Sequence, residues 1–147
     1  MKVNVRWLTD LAFEAKNEKG LRYFMDTENA DGSPGLGPKP MEMLLSALAG
    51  CTGMDVVSIL KKMRVSFSGF TMEVNAERAD EHPKVFTDIE LTYFLEGVDD
   101  ADIEKVMKAV GLSQEKYCSV GAMLKKAARY NYRVVVNGKT VFESSNE

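Results

Sequence analysis

Two cysteines, Cys51 and Cys118, are the residues of this sequence best suited to covalent chemistry. A thiolate is a good nucleophile and a thiol a poor one, so the surroundings decide whether either reacts. Cys51 lies within the run Met43–Leu60, an apolar helical stretch interrupted by one charge, Asp55. Cys118 lies in Glu115-Lys-Tyr-Cys-Ser-Val120, where the pattern predicts the start of another helix. At a helix N-terminus, free N–H groups and the macrodipole lower a thiol's pKa, and Lys116 adds positive charge. The alternative is that Ser119 caps the helix and Cys118 merely precedes it. If the fold joins the two cysteines, they form a redox dithiol; apart, they are small apolar filler.

Other chemistries have less to stand on. The cysteines are 67 residues apart, which is neither a Cys-x-x-Cys redox box nor a zinc-ligand spacing. The single histidine, His82, sits beside Pro83 in a turn, so no metal site is expected. No dinucleotide fingerprint, phosphate loop or nucleophile elbow is present, and Gly35-Leu-Gly37 reads as a lead into the helix. Glu42 falls in the first turn of that helix. A carboxylate there either complements the helix dipole or orients an arginine at a thiol site. Nine residues separate it from Cys51, about 13 Å of rise and roughly half a turn, so direct contact within one helix is not expected.

The elements that must position these residues are set by periodicity. Val3, Val5 and Trp7 alternate with Lys2, Asn4 and Arg6, predicting a strand with one buried face. Phe13 and Ala15 continue the pattern, Asn17–Gly20 reads as a turn, and Leu21, Tyr23 and Met25 make a third strand. Residues 31–40 are loop by composition, with Pro40 suited to a helix's first turn. The helix is expected to run to about Met63 and is apolar nearly all round, so other elements or a partner chain must wrap it. Gly50 and Gly53, flanking Cys51, point to close approach of another backbone or a ligand. Residues 65–80 and 84–96 read as two long strands joined at Glu81–Lys84. Asp99 and Asp100 cap a short helix through Val110, a last helix is expected over Ser119–Arg129, and Tyr130–Val136 is the closing strand before an Asn137-Gly138 turn. The order β-β-β-α-β-β-α-α-β is α+β, with antiparallel strands around one buried helix.

At 147 residues the chain is read as a single domain, 1–147. A net charge of −3 with scattered basic residues gives no nucleic-acid footprint. The first ten residues lack the apolar centre of a secretory signal, and two cysteines are too few for a secreted disulfide scaffold, so the expected location is cytoplasmic. The 43–60 stretch approaches the length of a membrane span. Asp55 in its middle argues against one, because a charge at bilayer centre costs at least roughly 2.5 kcal/mol.

The stretch Pro40-Met-Glu-Met-Leu-Leu-Ser-Ala-Leu-Ala-Gly-Cys-Thr-Gly-Met-Asp-Val-Val57, with Lys116-Tyr-Cys-Ser-Val120 downstream, resembles the OsmC/Ohr family, the osmotically inducible and organic hydroperoxide resistance group. The resemblance spans nearly the whole chain, including the His82-Pro83 turn. It implies an OsmC-like fold: antiparallel sheets wrapped around a long central helix in an intertwined homodimer, with sites at the subunit interface. It also implies a thiol peroxidase of the oxidative stress response. Cys51 aligns with the peroxidatic cysteine, which reduces an organic hydroperoxide and becomes a sulfenic acid. Cys118 aligns with the resolving cysteine, which closes a disulfide. No cofactor is implied beyond an external dithiol reductant such as dihydrolipoamide. The family's peroxidases hold an arginine over the thiolate with a glutamate ten residues before the cysteine. Here Met41 occupies that position and Glu42 is one step on; Arg22 is the candidate arginine, with Arg6 a weaker one. The alternative is an OsmC-like protein that binds a small ligand or senses redox state, with weak or no peroxidase activity.

Overall fold

The computed structural model describes residues 1–145, and the chain divides into two compact units, residues 1–46 and the residues from Ala47 on. In the first unit, β1 (Val3–Thr9), β2 (Ala12–Asn17) and β3 (Arg22–Met25) form the expected antiparallel meander, with Val5 opposite Ala15 and Ala15 opposite Tyr23. The β2–β3 turn is closed by the Asn17 side chain, which accepts from the N–H groups of Lys19 and Leu21, and by Gly20 at φ +84°. The Asp26 carboxylate gathers the loop after β3, accepting from the backbone of Thr27 at 2.8 Å and Leu36 at 2.9 Å. Alternation predicts a buried face for β1, but Val3, Val5 and Trp7 are exposed, Trp7 by 64 %. Three short strands and a loop supply no second layer to cover that face.

Helix α1 (Pro40–Lys62) opens with Pro40 and with Glu42 accepting the Lys39 N–H at 2.8 Å, and it ends at Lys61 and Lys62. These are the charges that complement the two ends of the helix dipole. In the second unit it buries Leu48, Thr52, Gly53, Val56 and Leu60, one stripe at spacings of three and four. Although α1 is long and apolar enough to cross a membrane, this stripe packs in protein. Val56 and Leu60 join Leu91, Tyr93, Leu95, Val106, Val110, Val134 and Val136 in the core.

The sheet beneath has the order β4 (Gly69–Arg78), β5 (Phe86–Glu96), β6 (Arg129–Val136), β7 (Lys139–Glu143). Three features differ from the expected pattern. β5 and β6 run parallel, Leu91 opposite Tyr132, because the chain between them crosses over through α2 (Ile103–Leu112), a turn and α3 (Ser119–Leu124). The last helix is short: the N–H groups of Ala127 and Ala128 both turn back onto the Leu124 carbonyl, and Arg129 enters β6 opposite Asp88. A further strand, β7, comes after the Asn137-Gly138 turn, whose two positive φ values, 50° and 79°, suit a two-residue hairpin.

Candidate active site

Cys51 and Asp55 are one turn apart on α1, with Thr52 between them pointing into the core. The second wall comes from the segment after α2. Residues Ser113–Tyr117 form a single π-helical turn, closed by the Cys118 N–H on the Ser113 carbonyl at 2.9 Å. Such a turn inserts one residue into a helical path and rotates the downstream residues about the helix axis. Here it delivers Cys118, 5 % exposed, to the start of α3.

Cys118 is itself the cap of α3, its Sγ accepting from the Gly121 N–H at 3.3 Å. A Cβ at Gly121 would lie 3.2 Å from that sulfur and 3.6 Å from Leu48 Cδ1, so the glycine lets the thiol seat against the helix. Both cysteines are free, and Cys51 is close enough to act on Cys118. Burial pushes the Cys118 thiol up to about 11; the Gly121 N–H opposes this, while Cys51 and the Asp55 charge add to it. This corrects the expectation that a helix N-terminus lowers this thiol's pKa. One N–H of a six-residue helix does not offset desolvation.

Lys116, the cation singled out in the sequence, lies over the Tyr117 ring at 5.3 Å. The lysine that interacts with Cys118 is Lys125. Its Nζ donates to the Gln114 carbonyl at 2.6 Å and sits 5.1 Å from the Tyr130 ring centre. Burial lowers its pKa from the usual lysine value, against the opposing pull of Cys118 and Glu115.

A buried chain of hydrogen bonds ties these elements together. Ser113 Oγ donates to Asp55 Oδ2 at 2.9 Å and lies 2.7 Å from Thr52 Oγ1, which lies 2.6 Å from Tyr93 OH. Gln114 Nε2 donates to Tyr93 OH and, at 3.0 Å, to Tyr130 OH. A carboxylate only accepts, and each hydroxyl has one proton. Ser113 therefore spends its proton on Asp55, Thr52 donates to Ser113, and Tyr93 donates to Thr52. The whole chain is polarised toward Asp55. Burial raises the Tyr93 pKa to about 12 and raises that of Tyr130 as well, so both stay neutral links.

The other sequence candidates have different partners. Arg6 Nε lies 3.3 Å and Arg22 Nη1 3.8 Å from Glu14, which is 8 % exposed and held below the usual carboxylate range chiefly by Arg6. Glu42 caps α1 through Lys39. Sequence reasoning left Asp55, Thr52, Tyr93, Ser113, Gln114 and Tyr130 without site roles. The one available signal was a lone aspartate in an otherwise apolar helix. On another side of α1, Gly50, Met54, Val57, Phe70 and Met72 line an apolar groove of about 580 Å³, with Met54 77 % exposed.

Comparison with known proteins identifies the fold and the family. The OsmC-like protein family matches residues 31–133. Protein YhfA of Escherichia coli K12 is 40 % identical over 137 residues, covering 92 % of this chain and 98 % of its own. The crystal structure of a hypothetical protein from Aquifex aeolicus VF5 superposes with a TM-score of 0.73 at 31 % identity, over 92 % of this chain and 96 % of its own. The organic hydroperoxide resistance protein OhrB of Bacillus subtilis shares the fold alone, with a TM-score of 0.59 at 20 % identity over 92 % and 96 % of the two chains. With two sheets, a long core helix and a cysteine on that helix facing a second at a later helix start, this chain belongs to the OsmC/Ohr family of OsmC-like proteins.

Proposed function

We propose that this protein is a cytoplasmic, homodimeric dithiol peroxidase that reduces organic hydroperoxides. The observation that carries the reading is the pairing of two free thiols, Cys51 half-buried on α1 and Cys118 buried against α3. Cys51 sulfur attacks the distal oxygen of ROOH; the O–O bond breaks, the alkoxide leaves as alcohol after protonation, and Cys51 becomes a sulfenic acid. Cys118 sulfur then attacks Cys51 sulfur, the S–O bond breaks, and water leaves as the disulfide forms. An external dithiol such as dihydrolipoamide reopens it by exchange, leaving as its own disulfide.

Family membership supports the chemistry, and the organic hydroperoxide resistance named for OhrB belongs to a protein of the same fold. The exposed Val3, Val5 and Trp7 of β1 and the apolar groove along α1 support a second copy that covers them. Mixing reduced protein with cumene hydroperoxide in a stopped-flow instrument tests the reading. Rapid loss of two thiols per chain, faster than with hydrogen peroxide and abolished by Cys51→Ser, is the expected result. Full activity in Cys51→Ser would sink the mechanism.

A second reading rests on the same groove and on the engagement of Arg6 and Arg22 by Glu14. In it the protein binds a small apolar ligand or senses redox state, and its thiols react slowly. Native mass spectrometry showing a co-purifying ligand, together with sluggish Cys51 oxidation, would favour it.

A further inference from the structure

We infer that Asp55 is the proton acceptor for Cys118 when the Cys51–Cys118 disulfide closes, with Ser113 holding the carboxylate in place. The inference rests on the dithiol reading of the site and goes beyond it by assigning the base.

The geometry converges on Ser113. Its side chain donates to Asp55 Oδ2 at 2.9 Å, and its carbonyl holds the Cys118 N–H at 2.9 Å. Asp55 also stands one turn from Cys51 on α1, and its charge acts on Cys118. Among the described residues Asp55 enters no ion pair, and its Oδ1 carries no hydrogen bond. The donors of Ser113, Thr52 and Tyr93 line up behind the other oxygen and hold the group as an acceptor.

The chemistry requires such a group. A thiol pushed up to about 11 is almost wholly protonated at neutral pH, yet only its thiolate attacks sulfur. The titratable groups that interact with Cys118 are Cys51 and Asp55 on α1, Tyr93 on β5, Tyr130 on β6 and Lys125 after α3. The tyrosines are neutral and Lys125 has no vacant acceptor, which leaves the carboxylate. In the step, the Cys118 S–H proton passes to Asp55 and the S–S bond forms. The group on Cys51 leaves with the electron pair of its bond. When that group is hydroxide, Asp55 returns the proton to it, giving water and the free carboxylate.

Dithionitrobenzoate tests this step without a peroxide. Its attack by Cys51 releases one thionitrobenzoate, and closure by Cys118 releases the second, so absorbance resolves two phases. In Asp55→Asn the second phase is expected to slow about 10²-fold, the scale of a lost general base, with the first phase not slowed. Asp55→Glu, which keeps the carboxylate, should close within about tenfold of native protein.

A carboxylate acting by charge alone predicts the opposite sign. Removing it would release Cys118 from a repulsive neighbour and speed closure. An unchanged or faster second phase in Asp55→Asn therefore overturns the assignment, as does a native protein with no second phase. If Asp55→Asn loses its native near-ultraviolet dichroism, the pH profile of native protein decides. An internal acceptor gives a second phase that is flat around neutral pH, whereas deprotonation by solvent makes it climb roughly tenfold per pH unit. Failure of cumene hydroperoxide to oxidise Cys51 would sink the peroxidase reading and leave these phases to judge Asp55.

Discussion

Thr52 Oγ1 lies 2.6 Å from Tyr93 OH, a contact between α1 and β5 sealed from solvent. It fixes the rotation of the helix on the sheet. One residue along a helix is about 100° of turn, so seating Thr52 inward determines where the adjacent Cys51 points. The same hydroxyl reaches Ser113 at 2.7 Å, which ties the helix to the turn that delivers Cys118.

Replacing Thr52 with valine keeps the shape and removes the bridge. Tyr93 and Ser113 each lose a buried partner, so Thr52→Val should destabilise the fold by about 1–3 kcal/mol. Urea denaturation measures this. A change near zero would mean that the two hydroxyls find other partners.

Without Cys118 the peroxidase cycle should stop after its first half. Cys118→Ser is expected to consume about one equivalent of cumene hydroperoxide per chain and to hold Cys51 as a sulfenic acid. Excess peroxide should then drive it to the sulfinic acid, since no thiol intervenes. Mass spectrometry reads the added oxygens; sustained turnover in this variant would show that Cys118 is not the resolving residue.

Met54 stands exposed at the apolar groove of α1. A charge placed in a buried apolar interface is costly, so Met54→Glu should convert the proposed homodimer to monomer, read by analytical ultracentrifugation. The core stripe of α1 lies on other residues, so the variant should keep native circular dichroism. An unaltered sedimentation coefficient would remove this face from the interface.

The loop after β3 should loosen in acid. Asp26 is held below the usual aspartate range by the Leu36 and Thr27 N–H groups, the Leu36 bond first. A carboxylate with a depressed folded pKa contributes stability that is fully present above its unfolded value, about 3.9. That contribution disappears as pH falls through the lower folded value. The protection of the Leu36 amide, its exchange rate relative to an unstructured peptide at the same pH, should therefore fall below about pH 4, and Asp26→Asn should make that protection less sensitive to pH there. Equal acid sensitivity in both proteins would exclude Asp26 as the cause.

Periodicity and composition were enough to read the meander of β1 to β3, the long helix and the paired strands β4 and β5, because each depends on spacing along a few consecutive residues. The family was legible too, in the Gly50-Cys51-Thr52 neighbourhood and the downstream Cys118. Other features depended on residues far apart in the chain. Thr52 meets Tyr93 across 41 positions, and Asp55 meets Ser113 across 58. Neither pairing leaves a mark on local sequence, so the hydroxyl chain that ends on Asp55 was invisible until the elements packed. The parallel pairing of β6 beside β5 was equally closed to sequence, since register between distant strands is a tertiary choice. The Cys118 thiol shows the same divide. Its place before a helix was readable and argued for a lowered pKa, but burial between α1, α3 and the π-helical turn raised it. Desolvation is a property of the assembled fold, and here it exceeds what one local N–H supplies.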